Sequence, residues 1–300
     1  MGALKALFLA SAAVVGLASL AHAADLLPPA PQMEPPPPPM AAAEFTGWYL
    51  RGDVGVGVAS GNPGVGISPN PLVGLPSDAY NSFYNASLSA SALFDVGVGY
   101  QINNWLRFDV TGEYRGGSHF QVLEQVGIPS IPAQYGDFYR GDAASLIGLV
   151  NGYVDLGTWW GVTPFLGAGV GVANNRLSGV TDQGFACNGF CSPSGGYLAN
   201  GSNTSLAWAL MAGLDFNVTE NLKLELGYRF LDYGKLKTGG SNCFNGTGVN
   251  GGFSAAFCGG SSYSLATRDL YSQDFRLGLR WDFAEGPTFS PEPGPLVRKY

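Results

Sequence analysis

The stretch that decides the fold is LRFDVTGEYR, residues 106–115, in which two kinds of side chain alternate strictly. The apolar side chains fall on one face and the polar ones on the other: Leu106, Phe108, Val110 and Tyr114 against Arg107, Asp109, Thr111, Glu113 and Arg115. A helix of 3.6 residues per turn would scatter these charges, whereas a strand keeps them on one side. The stretch therefore predicts a β-strand with one apolar and one charged face.

The same alternation recurs along the chain, most clearly in GWYLRGDVGVGV (47–58) and LKLELGYRF (222–230). Eight such segments lie near residues 47–59, 90–101, 105–116, 142–155, 162–173, 205–217, 221–233 and 270–283. Three of their connections are a few residues long. The other four are long and rich in Gly, Ser, Asn and Pro.

This alternation of short and long connections is typical of a barrel that crosses a membrane. We predict an all-β protein: an eight-stranded antiparallel up-and-down transmembrane β-barrel with long extracellular loops and short periplasmic turns. An even number of strands puts both chain ends on the periplasmic side. A water-soluble, lipocalin-like barrel has similar strands and stays the alternative, although its loops would not be long on one side only.

The composition favours a protein with much surface away from water. Charged residues make up 12% of the chain and aromatic residues 13%, and 45 of the 300 residues are glycine. A soluble domain carries about a quarter charged residues, and a disordered chain would lack the aromatics. The net charge of −7 argues against nucleic acid as a partner, because no basic patch can neutralise phosphates.

The two ends of the chain differ from the middle. Lys5 precedes an apolar run and then Ala21-His22-Ala23, which predicts a signal peptide over residues 1–23. An uncleaved membrane anchor is the alternative, but the run is short for a membrane span. The proline-rich segment 24–45 predicts an extended periplasmic spacer, with a recognition motif for a partner as the alternative. Residues 284–300 are predicted to form a proline-rich, weakly structured C-terminal tail. The barrel is then residues 46–283.

The charged face of the strands is predicted to line the lumen. It holds seven bases, namely Arg51, Arg107, Arg115, Lys223, Arg229, Arg276 and Arg280. It also holds nine acids, namely Asp53, Asp95, Asp109, Glu113, Asp155, Asp215, Glu225, Asp274 and Asp282. The interior of an eight-stranded barrel is just wide enough for side chains to fill, and buried charges persist when they are paired. We therefore expect a salt-bridged plug rather than an open channel.

The glycines of PFLGAGVGVA (164–173) look at first like a phosphate-binding loop. A dinucleotide fingerprint needs Gly-x-Gly-x-x-Gly between a strand and a helix, whereas these glycines alternate within a predicted strand. We expect Gly167, Gly169 and Gly171 to face the lumen and to leave room there for the long charged side chains.

Few residues suggest chemistry. Downstream of the signal peptide the single histidine is His119, and nothing in the spacing of Ser118 or Asp137 fixes a catalytic dyad with it. We expect an exposed loop histidine, and neither an enzyme, a metal site nor a cofactor.

Four cysteines fall in two of the long loops: Cys187, Cys191, Cys243 and Cys258. In an exported protein they predict disulfides. Three connectivities exist, of which the local pairs 187–191 and 243–258 are favoured over pairing between loops. Their predicted role is to hold the surface loops in shape.

Four segments carry a resemblance to a known family. GWYLRGDVGVGV, TPFLGAGVGVA (163–173), LELGYRFLDYG (224–234) and FRLGLRWDF (275–283) are similar to strands of the small outer-membrane β-barrel proteins of alphaproteobacteria, the porin-like surface antigens of rhizobia and Brucella. The resemblance covers about residues 46–283. It implies an outer-membrane location, with lipid, lipopolysaccharide and the barrel-assembly machinery as partners.

The last strand resembles the family's assembly signal, with Phe275, Trp281 and Phe283 as its aromatic residues. Family members usually end at the terminal aromatic residue, whereas this chain continues to Tyr300. The resemblance permits two functions: a structural and surface-interaction protein whose loops meet a host or surface ligand, and a narrow porin for small hydrophilic solutes. The filled lumen favours the first.

Overall fold

The structure, a computed structural model, describes residues 46–70, 72, 75–130, 133–188, 190–243 and 262–283. These residues form thirteen strands: β1 (Gly47–Ser60), β2 (Val65–Ser68), β3 (Tyr80–Leu88), β4 (Ser91–Asn103), β5 (Leu106–Ile128), β6 (Ala133–Asp155), β7 (Val162–Asn188), β8 (Phe190–Leu198), β9 (Gly201–Asn217), β10 (Leu222–Gly234), β11 (Ser241–Cys243), β12 (Ser264–Thr267) and β13 (Leu270–Asp282). Within these ranges no helix is long and apolar enough to cross a membrane. The predicted signal peptide, the two proline-rich segments and Cys258 lie outside the described residues.

Eight of the strands close into a ring. In order around the ring they are β1, β4, β5, β6, β7, β9, β10 and β13, and every neighbouring pair is antiparallel. The ring closes at β1, where Leu50 pairs with Val98 of β4 on one side and with Trp281 of β13 on the other. The predicted eight-stranded antiparallel β-barrel is therefore confirmed.

The two ends of the barrel are unequal. Short turns join β4 to β5, β6 to β7 and β9 to β10 at the periplasmic end. At the other end the long connections contain β2, β3, β8, β11 and β12. The sequence ends the third and fifth strands at 116 and 173 and begins the fourth at 142, but the structure extends them to Ile128, Asn188 and Ala133. These predicted bounds are wrong because the second and third long connections are β-hairpins that prolong the barrel wall.

An apolar band covers the outside of the barrel. On β7 the exposed residues Leu166, Val170 and Val172 give way to Asn174 and Arg176, which are also exposed. The apolar part is about as long as the 9–11 residues that a strand needs to cross a bilayer. Aromatic side chains lie exposed near the short turns: Trp48, Trp105, Trp159, Trp281 and Phe283. This matches the aromatic girdle of membrane barrels.

Glycine bulges mark the level at which the strands leave the apolar band. In β5 the register shifts between Arg115 and Ser118, with Gly117 at a φ of 74°. A bulge inserts one extra residue, and in a strand a shift of one residue moves every following side chain to the other face. Gly179 of β7 (φ 63°) and Gly234 of β10 (φ 79°) accompany similar shifts.

The bulge in β5 turns its apolar face around. Below it, Phe108 and Tyr114 are exposed on the outside. Above it, Phe120, Val122 and Val126 are almost fully buried. The chain keeps alternating, but the apolar side chains now point inward. The extracellular part of the barrel is therefore built like a water-soluble protein.

We call this part the extracellular cap. It comprises β2, β3, β8, β11, β12, the segments 118–128, 133–142 and 178–188 of β5, β6 and β7, and the adjoining residues 235–240, 262–263 and 268–270. Its apolar core includes Phe120, Val122, Val180, Leu198, Leu236, Leu265 and Leu270. β2 pairs with β12, and β3 extends the sheet beside β5. The long connections are thus packed together above the barrel.

Candidate functional site

All the predicted lumen residues lie inside the barrel, and all except the half-buried Lys223 are buried. Every one of the seven bases is within ion-pair distance of an acid, and every one of the nine acids is within that distance of a base. They are brought together by alternation, because each transmembrane strand turns its polar residues inward. This set of paired charges is the candidate functional site inside the barrel.

One group of charges is centred on Glu225 of β10. Its carboxylate lies 2.8 Å from Arg107, 3.2 Å from Arg51 and 3.4 Å from Arg280, which stand on three other strands. Each arginine also pairs with further acids: Asp53 and Asp109 for Arg51, Asp155 and Asp215 for Arg107, Asp215 and Asp282 for Arg280. The charges thus tie opposite walls of the barrel to one another.

A second group lies nearer the cap. Arg115 pairs with Glu113 at 3.0 Å and with Asp274 at 2.7 Å. Arg229 contacts the same two carboxylates, at 2.7 Å from Asp274. Arg276 pairs with Asp53 at 2.6 Å and also contacts Asp95. Buried, charge-assisted hydrogen bonds of this kind are strong and hold side chains in fixed positions.

Aromatic rings and small cavities complete the interior. The guanidinium of Arg107 lies 4.5 Å from the ring centre of Tyr153 and 4.8 Å from that of Phe165. Two small cavities, one beside Tyr153 and Met211 and one beside Arg115, have volumes of about 10 Å³ each. A volume of this size is the lower limit for a single water molecule.

The alternating glycines of β7 face the interior, as the sequence predicts. A Cβ atom at Gly167 would lie 2.5 Å from the Tyr153 ring, and one at Gly169 would lie 2.0 Å from Asn151 Oδ1. At Gly171 it would lie 1.9 Å from the backbone oxygen of Gly148. The missing side chains make room for the Tyr153 ring, the Asn151 side chain and the backbone of the neighbouring strand, and not for the long charged side chains that the sequence led us to expect. Nothing in the strand forms a phosphate-binding turn.

The structure places His119 within β5 and not in a loop, which corrects its predicted setting. Its side chain is exposed, as expected, and its Nδ1 lies 2.7 Å from Oδ1 of the equally exposed Asp142. The Ser118 hydroxyl instead donates to the backbone oxygen of Ser89. Among the residues that the structure describes, no group of three or more His, Cys, Asp or Glu side chains could hold a metal ion.

One of the two predicted local disulfides is present. Cys187 and Cys191 are bonded and stand opposite each other in the β7–β8 ladder, with their Cα atoms 4.0 Å apart. Cys243 belongs to β11, and its predicted partner Cys258 lies outside the described residues. The pairing 243–258 therefore stays a prediction.

The aromatic residues of the predicted assembly signal lie on the outer face of the last strand. Phe275 and Trp281 are exposed toward the position of the lipid. Phe283 follows the strand, and its backbone N–H donates to the Trp48 backbone oxygen at 2.9 Å. Their role in assembly stays a prediction.

Sequence reasoning missed a group of three acids in the cap, of which Glu124 and Asp182 are buried and Asp137 is half-buried. Glu124, Asp137 and Asp182 line its interior beside the hydroxyls of Tyr139 and Tyr263. Burial raises the pKa of Glu124 to about 7. Burial and the neighbouring acids raise the pKa of Asp137 to about 8. The signal that could have found Glu124 is the alternation that resumes in β5 after Gly117.

The matching family model is described as the outer membrane protein beta-barrel domain, and it covers residues 10–283. An uncharacterized protein of Brucella suis is 32% identical over 228 residues, covering 71% of this chain and 76% of the relative. A candidate adhesin of Rickettsia prowazekii is 27% identical, covering 64% of this chain and 74% of the relative. The outer membrane protein PagN of Salmonella typhimurium is 33% identical over 45% of this chain and 48% of its own.

Two solved structures are similar in fold. The crystal structure of Neisserial surface protein A shares 17% identity and a TM-score of 0.40, covering 81% of this chain and all of the other. The outer membrane protein OprG from Pseudomonas aeruginosa shares 10% identity and a TM-score of 0.40, covering 80% of this chain and 98% of the other. With the family match over nearly the whole barrel and Brucella relatives above 30% identity, the chain belongs to the outer membrane protein β-barrel domain family and is a protein of the outer membrane.

Proposed function

We propose that this protein is a structural and surface-interaction protein of the envelope, with a lumen closed by side chains and a cap that meets ligands outside the cell. The observation that carries the proposal is the interior of the barrel, where both groups of buried charges join opposite walls. The small cavities beside them have volumes of about 10 Å³. Hydrated solutes need a continuous path that is far wider.

The cap supports the same function. The side chains of Phe120, Leu198 and Leu265 belong to a packed apolar cluster above the charges. A solute would have to pass this cluster before it reached the lumen. The outer surface of the cap, in contrast, exposes aromatic side chains such as Tyr84 and Phe185, which suit contact with other molecules.

The relatives support a surface role and not an enzymatic one. The Rickettsia prowazekii relative is named as a candidate adhesin, and PagN is named as an outer membrane protein. An adhesin works by contact between its exposed loops and a host or surface ligand. We extend that role to the cap, because it is the part of the chain that stands above the apolar band.

The outer surface of the barrel supports the proposed lipid partners. The exposed band of Leu, Val and Phe side chains fits acyl chains, and the polar residues above it fit lipopolysaccharide headgroups. We further propose that Phe275, Trp281 and Phe283 form the segment that the barrel-assembly machinery binds, and that residues 1–23 direct export.

Conductance in planar bilayers tests the closed lumen. We expect stringently purified protein to give no steady single-channel steps, while a porin of known conductance, reconstituted in the same way, gives them. Steady steps from the purified protein would contradict the closed lumen and favour the alternative, a narrow porin for small hydrophilic solutes.

An epitope placed at either end of the barrel tests surface display. An insertion after Ser130, at the tip of the β5–β6 hairpin, should be labelled by antibody on intact cells. The same insertion after Thr158, in the short β6–β7 turn, is the matched control and should be labelled only after the outer membrane is permeabilised. Labelling of both on intact cells, or of neither, would count against the proposed display.

A further inference from the structure

The acids of the cap form a line with two tyrosines. The Tyr139 hydroxyl lies 2.9 Å from Glu124 Oε2 and 3.2 Å from the Tyr263 hydroxyl. Tyr263 in turn lies 3.1 Å from Asp182 Oδ2. The Asp182 carboxyl group also interacts with the neighbouring carboxyl group of Asp137, with which it can share a proton. The line therefore runs Glu124–Tyr139–Tyr263–Asp182–Asp137.

This line joins all the long connections of the cap. Its members stand on β5, β6, β7 and the segment before β12. The first connection contributes Asn81 of β3, whose amide donates to Glu124 Oε1 at 2.7 Å. The hydrogen bonds of the line therefore hold together four connections that are distant in sequence.

The number of protons on the line decides how many of its contacts can be hydrogen bonds. It has four contacts between neighbours, and each contact needs one proton to be a hydrogen bond. The two tyrosine hydroxyls supply two protons. The other two must come from the carboxyl groups, because a carboxylate without its proton can only accept.

The acids of the line have no basic partner in the described part of the chain. In the described part of the chain, none of the three acids takes part in an ion pair with an arginine or lysine. The groups facing the line from the packed elements are Asn81, Glu124, Asp137, Tyr139, Asp182 and Tyr263. The side chain of Arg140, next to Tyr139, is exposed and stacks on Phe138. Loss of both carboxyl protons would leave negative charge without a counter-ion.

We propose that the cap is a pH-sensitive device: two protons shared along the line Glu124–Tyr139–Tyr263–Asp182–Asp137 lock the extracellular connections together, and their loss at alkaline pH releases them. The lock concerns the cap alone and does not depend on whether the lumen conducts. Its consequence is that the exposed surface of the protein has two states, a packed one at acidic pH and a looser one at alkaline pH.

The direction of the pH effect follows from the acids themselves. The pKa of Glu124 is raised to about 7 and that of Asp137 to about 8 in the packed cap, above their values in an open chain. A group whose pKa is raised on packing stabilises the packed state at acidic pH, and this contribution is lost as pH rises through the raised value. The cap should therefore loosen between pH 6 and pH 9.

Amide hydrogen exchange of the full-length protein in detergent micelles tests the lock. After correction for the intrinsic pH dependence of exchange, we expect the protection of segments 120–128 and 180–186 to fall by about tenfold or more from pH 6 to pH 9. The protection of transmembrane β13 is the internal reference and should stay constant. Equal protection of the cap segments at the two pH values would overturn the proposal.

A matched pair of variants tests the mechanism. In the double variant Glu124→Gln and Asp137→Asn, the amides donate permanently to Tyr139 and Asp182, so protection of the cap should no longer depend on pH. Asp142→Asn replaces an exposed acid on the same strand as Asp137 and should keep the wild-type fall. A double variant that still loses protection between pH 6 and pH 9 would overturn the lock. The fraction that shifts on an unboiled gel verifies that each barrel is folded.

Discussion

Strand β5 passes through two environments, and the two halves of it are organised in opposite ways. Below Gly117 its apolar side chains face outward and its charges face inward, where each acid meets a base. Above Gly117 its apolar side chains face inward, and its one buried acid, Glu124, meets hydroxyls and an amide. The surroundings, lipid in one half and water in the other, therefore decide which face of the strand is apolar. A single bulge moves the apolar side chains from the outer face to the inner face.

The two halves also handle buried charge differently. In the barrel, arginines surround the acids, so the charges stay and are paired. In the cap, the acids share protons with tyrosines. Buried charges are costly to leave unpaired, and each half avoids that cost in its own way. The barrel should therefore be sensitive to the loss of a base, and the cap should not.

Removal of a buried arginine should have the largest effect. Arg107→Met leaves Asp155 without its ion-pair partner and takes one base from Asp215 and Glu225. Breaking a buried pair in this way costs about 3–5 kcal/mol. The barrel should unfold at lower urea concentration, measured as the loss of the folded band on an unboiled gel.

The control for this variant lies in the cap. Arg140→Met changes an exposed base in the upper half of β6 and should alter the unfolding free energy by no more than about 0.5 kcal/mol. Adding Asp155→Asn to Arg107→Met should restore part of the stability, because it removes the orphaned carboxylate. An equal loss from the two single variants would show that the halves do not differ in this respect.

Side-chain volume inside the barrel should have the next largest effect. Gly171→Ala puts a Cβ atom 1.9 Å from the Gly148 backbone oxygen, which cannot move as a flexible side chain would. Overpacking of this kind costs about 1–3 kcal/mol, so we expect a smaller fraction of assembled barrel in the outer membrane.

The lipid face supplies the control for this substitution. Ala168→Val enlarges an exposed residue three positions away on the same strand and should assemble normally. Normal assembly of Gly171→Ala would mean that the interior has more free space than the cavities beside Tyr153 and Arg115 indicate.

The sequence predicts the transmembrane half well and the cap poorly, for a physical reason. Strict alternation in residues 106–115 identifies the strand, its lipid face and its inward charges, because a period of two residues is typical of a β-strand and not of a helix. The glycines Gly116 and Gly117 interrupt that pattern, and the alternation resumes on the opposite face. A prediction that takes glycines as the start of a loop therefore ends β5 too early and misses Glu124.

The pairing of the acids in the cap could not be predicted for another reason. Glu124 and Asp182 are far apart in sequence and are brought together by bulges at Gly117 and Gly179. Tyr263, which joins them, comes from the last long connection. Their contact depends on the packing of several connections at once, and alternation within single strands carries no information about it.

The disulfide of the cap should have the smallest effect. Cys187 and Cys191 already stand opposite each other in the β7–β8 ladder, so the bond closes a very short loop. The chain-entropy account gives at most about 2 kcal/mol for a loop of this length, and the gain is confined to the tip of one hairpin. Replacing both cysteines by serine should speed protease cleavage near Phe190 and leave the folded band of the barrel unchanged. If the barrel itself lost stability, the tip of this hairpin would be coupled to the transmembrane half through the apolar cluster that they share.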